Sequence, residues 1–132
     1  MRLDPDDGPI QMGILAAGLA NTLIELRYES PPRYSLPFDP SKPPAVLEQY
    51  IEIFQGFVTA DEGWESESRR GLSFLLNLND SSLLKYYRKL EISYPVGDPK
   101  EIRYFLLILW EHTFAHWQDR QFVEEDYELH WS

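Results

Sequence analysis

Two histidines and an aspartate, His112, His116 and Asp119, stand at i, i+4 and i+7 in the run EHTFAHWQD. On a helix that spacing sends all three to one side. Two imidazoles so placed can bind a divalent cation, and a carboxylate one turn on can complete three ligands. The run is E-H-x-x-x-H, however, and lacks the glutamate that an H-E-x-x-H motif uses as general base. On a helical wheel of about 100° per residue, His116 falls at the edge of an apolar arc, where a histidine serves as a hydrogen-bonded core residue. This trio is the basis of an alternative expectation, a metal-binding enzyme or sensor.

The leading expectation comes from acids interleaved with rings. Asp61, Glu62, Trp64, Glu65 and Glu67 follow one another in ADEGWESES, and Glu124, Glu125, Asp126 and Tyr127 form a second group near Phe122, Leu129 and Trp131. An aromatic ring among carboxylates suits a basic protein surface: the ring supplies desolvated contact area, and the carboxylates supply steering and register. As general acid and base, pairs such as Glu65 with Glu67 or Glu124 with Asp126 would need one carboxyl desolvated against a polar partner. Acidic loops offer such pairs by chance. The only clustered basic segment, Lys85-Tyr86-Tyr87-Arg88-Lys89, has the basic-aromatic interleaving that can hold phosphate, but in so acidic a chain it is expected to pair with carboxylates. No G-x-S-x-G elbow, phosphate-binding glycine loop or dinucleotide fingerprint occurs. With no cysteine there is neither a thiol nucleophile nor a thiolate metal site.

The charge balance points the same way. Acidic residues number 22 against 12 basic, for a formal net charge of −10. Such a field repels nucleic-acid phosphates and anionic membranes and speeds encounter with a basic partner. No apolar run approaches the roughly 18 residues of a membrane span, and MRLDPDDGPI lacks the basic and then apolar pattern of a signal peptide. A soluble, cytoplasmic protein is expected.

These groups must be positioned by helices. The strongest start signal is Asp98-Pro99 with Glu101, opening a helix to Trp117 whose Ile102, Phe105, Leu106, Leu109 and Trp110 share one arc, with little of the opposite side polar. It is expected at the centre of the core. Upstream, Pro9 opens a helical pattern to about Asn21. Residues 30–44 hold six of the ten prolines and read as an extended connector packed on the surface. Val46 to Val58 is a clean amphipathic helix ending near Thr59, with Glu48 and Glu52 outward. Ala60 to Ser68 reads as an exposed acidic loop, followed by a helix from about Glu67 to Leu78 and another over Leu83 to Leu90. Three alternating pieces, Ile24–Tyr28, Leu90–Tyr94 and Tyr127–Trp131, are candidates for a small sheet, the first of them reading rather as the last turns of the N-terminal helix.

The sequence therefore predicts a mainly α, single domain over 1–132, with about five helices around a buried C-terminal helix, residues 1–8 flexible, and room for a small sheet that would make it α+β. It predicts a non-enzymatic module, without cofactor, catalytic residue or metal, that neutralises a basic partner in the manner of an immunity or inhibitor protein against a toxin or nucleic-acid-acting enzyme. Direct nucleic-acid binding and membrane association are not expected, and the chain is taken as a monomer or weak dimer. Besides the metal alternative, a structural subunit of a larger assembly would also account for the aromatic surplus.

Overall fold

The computed structural model describes residues 8–26, 45–91, 99–114 and 126–131. In chain order they form β1 (Ile10–Gln11), α1 (Met12–Leu26), α2 (Ala45–Thr59), α3 (Glu62–Leu76), α4 (Asp80–Lys89), α5 (Pro99–Thr113) and β2 (Leu129–His130). The molecule is thus mainly α, with a two-stranded sheet.

Helix α5 lies in the core as its all-round apolarity requires. Ile102, Phe105, Leu106, Ile108, Leu109 and Trp110 are buried, and the helix packs against α2, α3 and α4. Burying each such side chain is worth roughly 1.5–3 kcal/mol. Tyr50 of α2 meets Phe105 edge to face at 5.0 Å. Its hydroxyl is satisfied by donating to the Leu19 carbonyl of α1 at 3.0 Å. The centre is shared with α3, whose residues from Arg70 to Leu76 are all buried while its first turn is exposed. The helix enters the core end first. It approaches α1 closely at Gly71, where a Cβ would lie only 3.1 Å from Leu15 Cδ2.

Arg103 of α5 closes the turn between α3 and α4. Its guanidinium donates to the carbonyls of Leu76 (3.1 Å) and Leu78 (2.7 Å) and pairs with Asp80 at 3.0 Å. Carbonyls left open at the end of α3 are thereby satisfied, and α4 starts from an Asn79 cap whose side chain accepts from Ser82 N at 2.9 Å.

The sheet differs from the expected one. It pairs Ile10–Gln11 in parallel with Leu129–His130, so among the described residues only Tyr127–Trp131 of the three alternating pieces contributes a strand. Ile24 to Leu26 belong to α1, Leu90 caps α4, and Glu91 turns the chain with φ 58. Residues 27–28 and 92–94 lie outside the described residues. The N-terminal helix starts at Met12 because tertiary partners hold the backbone before it extended. Buried Arg70 donates to the carbonyls of Gly8 (2.5 Å) and Pro9 (3.3 Å) and pairs with Glu67 at 3.0 Å. The other oxygen of Glu67 accepts from Gln11 N at 2.8 Å, and Ile10 N donates to the Glu128 carbonyl at 2.8 Å. Gly8, expected within a flexible lead-in, is pinned by that guanidinium, at a φ of 89 that favours glycine. Residues 1–7 and the connector at 30–44 lie outside the described residues.

Candidate protein-docking site

The segment read as an acidic loop, Ala60 to Ser68, is instead the turn into α3 and its first two turns. Asp61 is extended (φ −149, ψ 133), and its carboxylate accepts from Gly63 N at 2.7 Å and Trp64 N at 3.3 Å. Glu62 and Glu65 then stand in the first turn, where carboxylates oppose the positive end of the helix dipole. An N-cap aspartate followed by first-turn acids was the available signal, hidden by Gly63 and the density of charge.

This cap fixes Trp64. Its ring stacks on Phe57 of α2 at 4.8 Å between centroids and 10° between planes, yet the residue remains 39% exposed, the one exposed large hydrophobic among the described residues. The space for Phe57 comes from α1, since a Cβ at Gly18 would lie 2.7 Å from the Phe57 ring.

The neighbouring acids divide by what they touch. Glu65 pairs with Arg69 one turn on at 2.9 Å, and Arg69 in turn lies 5.0 Å over the Phe114 ring. Glu67 is committed to Arg70 and Gln11. Asp61 and Glu62 are exposed. They continue a ridge not assembled from the sequence: Glu48, Glu52, Gly56 and Thr59 of α2 are all exposed and share one helix face by their spacing. Among the described residues no cation pairs with Glu48, Glu52, Asp61 or Glu62. The amphipathic pattern puts Glu48 and Glu52 outward; the α2–α3 corner sets exposed Asp61 and Glu62 beyond the Thr59 end of that face.

Among the described residues, the second predicted group is not joined to this one. Tyr127 is half-buried with its ring 6.0 Å from Phe74, about 15 Å along α3 from Trp64 at 1.5 Å per residue. Asp126 is exposed, and Glu124 and Glu125 lie outside the described residues. Of the candidate metal ligands, His112 is half-buried in the last turn of α5, its carbonyl accepting from Gln55 Nε2. His116 and Asp119 lie outside the described residues, and among those described no three such side chains gather as a metal site would need.

The basic segment lies against rings. Lys85 and Lys89 lie over rings: Lys85 Nζ is 5.2 Å from the Tyr86 centroid, and Lys89 Nζ is 5.4 Å from Tyr86 and 5.6 Å from Trp131. Tyr86 and Trp131 are themselves stacked at 6.1 Å and 3°. Among the described residues no carboxylate pairs with Lys85, Arg88 or Lys89. Cation–π attraction from the two rings holds Lys85 and Lys89.

Compared with protein-family models, characterised proteins and solved structures, the chain matches none.

Proposed function

We propose that this protein is a non-enzymatic docking module that binds a basic partner through the ridge Glu48, Glu52, Asp61, Glu62 and Trp64, and blocks it as an immunity or inhibitor protein blocks a toxin or a nucleic-acid-acting enzyme. The observation that carries this is Trp64, held exposed on Phe57 beside acids with which, among the described residues, no cation pairs. A site that acts on nucleic acid is positive because its substrate is an anion, so a folded acidic surface competes for it. Electrostatic attraction speeds the encounter, and a large ring desolvated at the contact slows dissociation. Glu65 and Glu67, held by Arg69 and Arg70, support the ridge without leading the contact.

Binding to a panel of strongly basic nuclease domains tests this. A domain that is captured should also be inhibited. Trp64→Ala should raise Kd about 30-fold, the loss of roughly 2 kcal/mol expected of a central anchor. Glu48→Gln with Glu52→Gln and Glu62→Gln should weaken capture further and flatten its salt dependence. Equal affinity of wild type and both variants for every domain captured, or no basic domain bound more tightly than a neutral control, sinks the reading.

A further inference from the structure

The α4 surface has the opposite polarity and a matching composition. Lys85, Arg88 and Lys89 are exposed in a chain with 22 acidic residues, yet among the described residues none is paired with a carboxylate. The negative end of the α4 dipole favours cations at Arg88 and Lys89. It does not account for the floor beneath them, where Trp131 stacks on Tyr86 and Tyr86 meets Phe74 edge on at 5.3 Å. We propose that this basic, ring-floored pole is the seat of a second copy of the chain, which docks on it with its own Trp64 ridge. The proposal rests on the reading of that ridge as a protein-docking face.

Complementarity is double. The ridge offers an exposed indole beside Asp61 and Glu62, with which no described cation pairs, and the pole offers three cations with no described carboxylate partner, Lys85 and Lys89 over half-buried rings. Arg88 and Lys89 can meet the open side of Trp64 while Glu52 and Glu62 meet the remaining ammonium groups. Phe74, which backs the pole, is ten residues along α3 from Trp64, about 15 Å at the helical rise. One copy can therefore engage either pole without covering the other, and the contact is heterologous, ridge on pole. Two chains of net charge −10 repel at long range. At an ionic strength of about 0.15 M the Debye length of about 8 Å screens that repulsion and leaves the groups in contact to decide. Association occludes the ridge, so a basic partner would compete with self-association and dissolve it.

Sedimentation of the full chain at about 0.15 M ionic strength, up to about 1 mM protein, tests this in the affinity range of small interfaces. The weight-average mass should rise above the 15.5 kDa of one chain as concentration increases. K85E/R88E/K89E should stay at one chain's mass, as should E48K/E52K/E62K, and circular dichroism should show both folded. Mixed in equal amounts, the two variants should associate, because the charges at each contact are again opposite. A wild-type mass of 15.5 kDa at every concentration overturns the proposal. So does association that survives K85E/R88E/K89E, or a folded mixture that stays apart. Should either triple variant fail to fold, K85Q/K89Q and E52Q/E62Q take their place, each expected to lower the mass gained, and an unchanged gain overturns the proposal. The ridge is intact in K85E/R88E/K89E, so that variant should capture a basic nuclease domain as wild type does. Failure of self-association with capture retained is thus distinct from failure of the ridge itself.

Discussion

Trp64 is exposed because of what lies beneath it. The ring is part outward anchor and part packed: one face rests on Phe57 and 39% of the residue stays open. What composition concealed is the third member of the stack, Gly18. A glycine in an alanine-rich helix looks replaceable by composition, yet a Cβ at Gly18 would come within 2.7 Å of two Phe57 ring carbons. Gly18→Ala should therefore destabilise by about 1–3 kcal/mol, the usual cost of overpacking, in spite of alanine's better helix propensity. It should also displace Phe57, and the Trp64 indole NMR signal should move with it. Adding Phe57→Leu should restore much of the urea midpoint while leaving the indole signal displaced. A Gly18→Ala protein with unchanged midpoint and signal would show that Phe57 yields freely and that the stack is not built from α1.

At the scale of elements, Asp61 carries two roles that a pair of variants separates. Its carboxylate caps α3 through Gly63 N and Trp64 N and also adds charge to the ridge. Asp61→Asn keeps a cap acceptor and removes the charge; it should lower stability little and weaken capture of a basic domain. Asp61→Ala removes both and should cost about 1 kcal/mol in addition, visible in a denaturant midpoint. If the two variants lose equal stability, the cap contributes nothing. Much of the rest was legible at this scale. The stripe Leu47, Tyr50, Ile51, Phe54 and Val58 is buried as its spacing demands, and α5 is central because it has no broad polar side. The start of α3 was misread because local charge density resembles a loop, although the Asp61 cap was in plain view. The strand at Ile10 was out of reach of periodicity altogether: its partners, Arg70 and Glu128, are distant in sequence. Assembly of the ridge failed because the segment after Ala60 reads as a loop, which conceals the Asp61 cap that sets Asp61, Glu62 and Trp64 beyond the Thr59 end of α2.

For the whole molecule, the distribution of charge matters more than its total. Arg69, Arg70 and Arg103 are spent on Glu65, Glu67 and Asp80, and Lys85 and Lys89 stand over rings, so among the described residues no cation pairs with Glu48, Glu52, Asp61 or Glu62. Long-range attraction acts on the encounter, while contacts buried after docking act on dissociation. The two halves of the ridge should thus separate kinetically against any basic domain that the protein captures. Glu48→Gln with Glu52→Gln and Glu62→Gln should slow association by about tenfold at low salt and leave dissociation nearly unchanged, with the difference shrinking as ionic strength passes about 0.15 M and the Debye length falls below about 8 Å. Trp64→Ala should do the reverse, speeding dissociation at every salt concentration while association follows the wild-type salt curve. Stopped-flow association and surface-based dissociation rates measure the two separately. Association rates that fall equally in both variants would mean that the field is set by the net charge of −10 as a whole, with no focusing at the α2–α3 corner.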